Sequence, residues 1–136
     1  MECELCSALA ESVIWRGQHC RVIYAEDANY PGFCRVIWNE HVKEMTDLSP
    51  QLRNELMNTV FSVESAVREI MQPDKINLAS LGNLTPHLHW HIIPRFIDDK
   101  HYPTPIWGKP IRDSTIHNTI NIQSRLQTSL LERLPV

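Results

Sequence analysis

Long apolar runs are missing from this 136-residue sequence, and none approaches the ~20 residues that a membrane-spanning helix needs. The start, Met1-Glu2-Cys3-Glu4, also lacks the basic and apolar segments of a secretion signal. We therefore expect a soluble, cytoplasmic protein that does not have a membrane as its partner.

A large excess of one sign of charge is also absent, because 13 basic residues nearly balance 16 acidic ones and leave a formal net charge of −3. This balance gives no reason to expect a nucleic acid or an anionic membrane as partner. The sequence contains no internal repeat and no low-complexity tract. Its length fits one domain that buries about two-thirds of the surface of the unfolded chain.

Cysteine is limited to four residues, Cys3, Cys6, Cys20 and Cys34. Without an export signal, these cysteines favour free thiols or metal ligands over a disulfide framework. Cys20 and Cys34 fall within β-rich runs, where a free cysteine packs as a small hydrophobe. Cys3 and Cys6 form a Cys-x-x-Cys pair, whose spacing alone fits zinc, redox chemistry or chance.

The first half of the chain predicts two antiparallel strands and a long helix. Two β-rich runs, residues 20–24 and 33–38, flank a segment that contains turn-forming Asn, Pro and Gly. A helix is expected to begin near Ser49-Pro50, because serine caps a helix and proline suits the first helical position. Apolar residues recur every three or four positions from there to Pro73, which ends the helix.

The second half predicts a hairpin and a C-terminal helix. Residues 75–81 are expected to form a strand, Gly82-Asn83 a turn, and the histidine-rich segment the next strand. Prolines and a glycine within residues 98–110 predict an ordered but irregular surface segment. Residues 118–134 have helical apolar spacing. We expect an α+β fold with an antiparallel sheet, in which residues 1–110 form the domain and residues 111–136 its helical extension.

Three of the seven histidines, His87, His89 and His91, stand at two-residue spacing with apolar residues between them. Side chains alternate between the faces of a strand, so this spacing predicts three imidazoles on one face and an apolar row on the other. Neighbours on one face are roughly 6.5–7 Å apart, which lets one ring act while the others orient it. The spacing therefore indicates a functional face.

Two chemistries fit such a row of imidazoles. One is a metal site, because His-x-His pairs on strands bind zinc in several hydrolases. The other is nucleophilic catalysis, in which one imidazole attacks while its neighbours set its tautomer and stabilise charge. Three further histidines, His19, His101 and His117, have no identifiable partner in the sequence and are expected at the surface.

The His-x-His-x-His-x-x pattern with apolar x resembles the signature of the histidine triad (HIT) family of nucleotide hydrolases and transferases. Residues 77–83 are similar to that family's asparagine-containing strand and glycine-rich turn, and Pro94-Arg95 follows the triad as it often does. Residues 31–37, with His41, are similar to the strand before the family's long helix. The resemblance covers about residues 2–100 and implies a HIT-like fold.

Carried over to this sequence, the resemblance implies that His89 attacks the α-phosphorus of a nucleotide and forms a nucleotidyl-histidine intermediate, which water hydrolyses. His91 would hydrogen-bond the phosphate and stabilise its developing charge. His87 would orient the nucleophile or contact the leaving group, and Asn77 would help hold the active-site hydrogen bonds.

The implied substrate is a nucleoside phosphoramidate or a dinucleoside polyphosphate, and no cofactor is required for catalysis. Two other interpretations stay open. The first is a nucleotide-binding or regulatory protein with negligible turnover. The second is a zinc-binding protein that uses the histidine strand as ligands.

Candidate phosphate ligands lie on both sides of the triad. The backbone N–H groups and side chains of Gly82, Asn83 and Thr85 could hold phosphate oxygens, as glycine turns commonly do, or the segment could be only a tight turn. Arg95 could also bind phosphate, although an arginine at a strand end is more often a solvated charge.

Some HIT proteins and the related galactose-1-phosphate uridylyltransferases bind zinc through a Cys-x-x-Cys pair, a histidine before the long helix and the first triad histidine. By this match a structural zinc would be held by Cys3, Cys6, His41 and His87, a set that suits a closed tetrahedral site. Free thiols remain the alternative. The resemblance also implies a homodimer with a continuous sheet, in which Trp107 contacts the partner subunit or the pocket.

Overall fold

The computed structural model describes residues 3–8, 10–117 and 120–135. Its core is a five-stranded antiparallel sheet in the order β1-β2-β3-β5-β4. The elements are α1 (Glu4–Ser7), β1 (Ser12–Arg16), β2 (Cys20–Tyr24), β3 (Cys34–Trp38), a 3-10 turn (Met45–Asp47), α2 (Pro50–Met71), β4 (Lys75–Ala79), β5 (His89–Arg95) and α3 (Ile122–Arg133). This confirms the α+β fold with one long helix and a C-terminal helix. Within the described ranges, no helix is both long and apolar enough to cross a bilayer.

Helix α2 begins and ends where the sequence predicts. The Ser49 side chain accepts a hydrogen bond from the N–H of Leu52, and Pro50 occupies the first turn. The helix closes at Gln72, in the left-handed conformation at φ 49°, directly before Pro73. Its apolar stripe is buried against one face of the sheet, where Val22, Val36 and Ile92 are 0% exposed.

The other face of the sheet carries His89 and His91, and we call it the histidine face. Cross-strand pairing places Ile37 opposite His89, and both Arg35 and Ala79 opposite His91. Directly paired residues in an antiparallel sheet point to the same side. The predicted separation of an apolar row from a histidine row is therefore present along β5.

The connection between β4 and β5 is longer than the sequence predicts. Strand β4 ends at Ala79 rather than at residue 81, and residues 80–88 form an irregular connection. Leu88, directly before β5, bonds away from β4: its N–H donates to the Val42 carbonyl and its own carbonyl accepts from the Trp38 N–H. These bonds hold the end of the connection to the last residue of β3 and to the loop that follows it, and the predicted tight turn at Gly82-Asn83 is not formed.

Helix α3 packs on α2 and β1. It begins at Ile122, after Asn121 in the left-handed conformation at φ 51°. Asn118, the expected start of this helix, lies outside the described residues. The helix buries Leu126 and Leu130, each 0% exposed, as the apolar spacing predicts.

A buried carboxylate organises the irregular segment that follows β5. Asp99 is 1% exposed and accepts hydrogen bonds from the Arg95 guanidinium at 2.8 Å and from the backbone N–H groups of Phe96, His101 and Tyr102. Burial alone would raise the pKa of Asp99, but these hydrogen bonds outweigh burial and lower it to about 2. The segment is thus ordered around one charge.

His101 belongs to this buried cluster, so its expected surface position is wrong. Its side chain is 8% exposed, and Nδ1 lies 2.5 Å from the hydroxyl oxygen of Tyr30. The two rings also stack, with centroids 5.8 Å apart. Tyr30 lies before β3, which is why the sequence around His101 does not reveal this partner.

We expect Asp99→Asn to lower the free energy of unfolding by about 2–4 kcal/mol, because the change leaves the buried Arg95 charge without its counter-ion. Urea unfolding would measure this loss. Asp98→Asn is the matched control, since its side chain is 47% exposed and should change stability by less than about 0.5 kcal/mol. Equal losses in the two variants would contradict a structural role for the buried pair.

Candidate active site and metal site

His89 has one ring nitrogen committed to a backbone carbonyl. Its Nδ1 lies 2.6 Å from the carbonyl oxygen of His87. A carbonyl oxygen only accepts hydrogen bonds, so Nδ1 carries the hydrogen and Nε2 keeps its lone pair in the neutral ring. The ring is 9% exposed and lies at the start of β5, where its position is fixed by the sheet. This is the tautomer that a nucleophile acting through Nε2 requires.

His91 has the opposite tautomer. The Arg35 Nε–H donates to His91 Nδ1 at 3.4 Å, so in the neutral ring the hydrogen is on Nε2. Burial is the largest cause that lowers the pKa of His91, and the charges of His89 and Arg35 add to it, giving a value of about 3. His91 therefore stays neutral near pH 7 and offers an N–H donor beside His89, whose ring centroid is 4.9 Å away.

The sequence predicts that His87 continues this row, but the structure shows that it does not. It precedes β5, is 0% exposed, and its Nε2–H donates to the Trp38 carbonyl at 2.6 Å. Its Nδ1 lone pair consequently points to the sulfur atoms of Cys3, at 3.3 Å, and Cys6, at 3.4 Å. Burial lowers the pKa of His87, which favours the neutral ring that binds metals.

Four potential ligands converge at this point. The donor atoms of Cys3, Cys6, His41 and His87 all lie within 4.8 Å of one another. The two histidine Nδ1 atoms are 3.2 Å apart, and His41 Nδ1 lies 3.2 Å from the Cys6 sulfur. Tetrahedral zinc bound by sulfur and nitrogen needs N···N and S···N separations of about 3.4 and 3.6 Å. The Cys₂His₂ donor set fits zinc in both chemistry and spacing.

Arg21 fastens the N-terminal segment that brings the two cysteines to this site. Its guanidinium donates to the Leu5 carbonyl at 2.7 Å, to Asn39 at 3.1 Å, and pairs with Glu11 at 2.7 Å. The arginine is 4% exposed. One buried cation on β2 therefore links the segment that carries Cys3 and Cys6 to the loop that precedes His41.

Asn77 lies on the histidine face, but its hydrogen bond goes to Arg95. The register pairs Asn77 with Ile93, roughly 6.5–7 Å further along β5 than His91. Its side-chain oxygen accepts from Arg95 Nη1 at 2.8 Å. The hairpin thus brings Asn77 onto the histidine face, at a distance from His89.

Arg95 is not a solvated charge, and that expectation is wrong. Its side chain is 2% exposed and bonds to Asp99, to Asn77 and to the Thr104 carbonyl. The ladder between β4 and β5 extends to Arg95, whose partner is Lys75. Residues 96–104 fold back over this end of the strand, and the Thr104 carbonyl accepts from the Arg95 guanidinium. The guanidinium is largely occupied by protein acceptors.

The connection between β4 and β5 holds the three other candidate phosphate ligands. Gly82 has φ +83°, a conformation that favours glycine, and Asn83 is exposed. The Thr85 carbonyl accepts the N–H of His87 at 2.8 Å, which ties this connection to the start of the histidine segment. Leu84 is 95% exposed at its tip.

Two side chains contact His91: Arg35, to which the sequence analysis assigned no role, and Trp107, which was expected to contact the partner subunit or the pocket. Arg35 faces it across the β3–β5 ladder, and the Trp107 ring lies edge-on to it with centroids 4.9 Å apart. Arg35 is the one charged residue in the otherwise apolar strand Cys34–Trp38, and this was the sequence signal that could have identified it. The position of Trp107 depends on the fold of the segment after β5, which no local pattern predicts.

Comparison with known proteins agrees with this architecture. A family model described as HIT domain matches residues 8–98. Two AP-4-A phosphorylases, from two strains of Mycobacterium tuberculosis, are 27% identical over 116 residues, which cover 79% of this chain. The match covers 58% of those relatives, so the chain spans little more than half of their length.

Solved structures match over nearly the whole chain. A histidine triad protein from Bradyrhizobium japonicum is 32% identical with a TM-score of 0.73, covering 93% of this chain and 94% of its own. A Zn-bound histidine triad family protein from Mycobacterium smegmatis has a TM-score of 0.69 at 18% identity, covering 97% and 95%. The second likeness is one of fold.

We expect part of the pH dependence of stability to come from His91. Its pKa is about 3 in the folded chain and about 6.5 when unfolded, so the unfolded state binds the extra proton between these values. Stability is therefore lost as the pH falls from about 6.5 towards 3. Urea unfolding at pH 7 and pH 4.5 should show a smaller loss in His91→Asn, by about 1–2 kcal/mol.

His117→Asn is the control for this comparison, because its ring lies outside the site and is 36% exposed. An unchanged pH dependence in His91→Asn would contradict the neutral, buried state assigned to His91.

Proposed function

The chain belongs to the HIT family, and we propose that it cleaves nucleotides at the α-phosphate through a covalent intermediate on His89. The observation that carries this proposal is the bond from His89 Nδ1–H to the His87 carbonyl, which leaves Nε2 with its lone pair. A backbone acceptor holds both the tautomer and the orientation of the ring.

In the first step, His89 Nε2 attacks the α-phosphorus, an N–P bond forms, and the bond from phosphorus to the leaving group breaks with its electron pair on that group. His91 donates its Nε2–H to a non-bridging oxygen and stabilises the charge that develops there. In the second step, water attacks the phosphorus and releases one proton to solvent, the N–P bond breaks with its electron pair returning to His89 Nε2, and the nucleoside monophosphate leaves. A phosphate acceptor in place of water would make the reaction a phosphorolysis.

Two substrate classes fit this chemistry, nucleoside phosphoramidates and dinucleoside polyphosphates. The name of the curated relatives, AP-4-A phosphorylase, supports the second class. Gly82, Asn83 and Thr85 are proposed phosphate contacts, because they lie on the connection tied to the start of the histidine segment. Asn77 and Arg95 would act at a distance, by ordering the segment that carries Trp107.

We also propose that Cys3, Cys6, His41 and His87 hold a structural zinc ion. The support is the spacing of the four donor atoms and the Zn-bound relative of the same fold. A closed set of four protein ligands leaves no open position, so such an ion stabilises structure and takes no part in the reaction.

We expect the wild-type protein to release AMP from diadenosine tetraphosphate or adenosine phosphoramidate, and His89→Ala to lose at least ~10³-fold in rate. Chromatographic AMP assays would measure both. Rapid quenching with base, which preserves the acid-labile N–P bond, followed by mass spectrometry should find one nucleotidyl group on the wild-type chain and none on the variant. His117→Ala is the matched control outside the site, and a retained rate in His89→Ala would refute the nucleophile.

Cys3→Ser and Cys6→Ser should each purify with little zinc and unfold at a lower temperature, because a structural ion contributes to folding free energy. Elemental analysis and thermal melts would measure the two effects. Cys20→Ser is the control, since Cys20 is buried in β2 and bonds Thr59 rather than the ligand set. Undiminished zinc in the Cys3 and Cys6 variants would contradict this site.

A further inference from the structure

Arg35 lies at the centre of the histidine face. It projects from β3 directly opposite His91, and its Nε–H donates to His91 Nδ1. Its guanidinium also lies over the Phe33 ring, 5.3 Å from the centroid. The two contacts fix the plane of the guanidinium next to the side chain that would bind the α-phosphate.

The charge of Arg35 has no counter-ion in close contact. Across residues 3–8, 10–117 and 120–135, its only hydrogen bond is the one to His91, and no carboxylate oxygen lies within 4 Å. Asp27 acts on it only through space, while burial lowers the pKa of the guanidinium. A half-buried cation with its terminal N–H groups unused is prepared to bind an anion.

The neighbouring donors differ in charge. His91 is a neutral donor at physiological pH, so Arg35 supplies the permanent positive charge at this point of the histidine face. By contrast, Arg95 on the same face is neutralised by Asp99, and Arg21 is neutralised by Glu11. Among these three buried or half-buried arginines, Arg35 is the one that remains available to a ligand.

We propose that Arg35 binds a phosphate group next to the α-phosphate and makes the site selective for substrates whose leaving group is a polyphosphate. The inference rests on the proposed function, with the α-phosphate between His89 and His91. The guanidinium forms a bidentate pair with phosphate oxygens, and an amine leaving group offers no such partner. Arg35 thus distinguishes the two substrate classes left open above.

The test compares kcat/KM for diadenosine tetraphosphate and for adenosine phosphoramidate in wild type, Arg35→Leu and Arg35→Lys. We expect Arg35→Leu to lose about 10- to 100-fold on the polyphosphate and less than about threefold on the phosphoramidate. Arg35→Lys keeps the charge without the bidentate geometry and should lie between. Arg16→Leu is the matched control, because Arg16 is an exposed arginine on β1, which is separated from β3 by the whole of β2.

A second measurement does not depend on turnover. In a His89→Ala background, calorimetric titration should show weaker binding of diadenosine tetraphosphate with Arg35→Leu, and unchanged binding of AMP. If the wild type releases no AMP from either substrate, the proposed reaction fails while this titration still decides the role of Arg35. Equal losses on both ligands, or none, would overturn the proposal, since equal losses are what mere positioning of His91 predicts.

Discussion

Two backbone carbonyls determine the chemistry of the histidine segment. The Trp38 carbonyl accepts from His87 Nε2, and the His87 carbonyl accepts from His89 Nδ1. Because a carbonyl has no hydrogen to give, each bond assigns the tautomer of the ring that it holds. His87 is left with a lone pair on Nδ1, which faces the cysteines, and His89 with a lone pair on Nε2. The antiparallel pairing of β3 with β5 keeps both carbonyls in place.

Much of the fold follows from short-range patterns in the sequence. Helix α2 starts at Ser49-Pro50 and ends before Pro73, because the cap, the proline and the apolar spacing all agree. The alternation along β5 likewise separates His89 and His91 from the core residues Trp90 and Ile92. These features depend on neighbours within one element, so a short stretch of sequence is enough to predict them.

The site was less predictable, since its contacts join distant parts of the chain. His87 leaves the histidine row because Leu88 bonds to Trp38 and Val42, which periodicity along β5 cannot show. Arg95 and His101 are buried because residues 96–104 fold back over the strand end. Resemblance to the HIT family supplied the Cys₂His₂ set, whose members spacing alone would not have joined.

Arg95 and Asp99 form a buried ion pair close to the histidine face, where the substrate is proposed to bind. Buried pairs of this kind add little stability over apolar residues, but breaking one is costly. Here the pair, with the Thr104 carbonyl, ties the strand end to the segment that presents Trp107 to His91. The ion pair therefore fixes the position of the segment that carries Trp107.

The spread of the Cys₂His₂ set along the chain has a consequence for biosynthesis. Its ligands come from the first residues, from the loop after β3 and from the start of β5. The chain between Cys6 and His87 contains β1 to β4 and α2. An ion held by all four residues would therefore join a loop that encloses four of the five strands. On the ribosome, full coordination has to wait until that entire stretch and His87 have emerged.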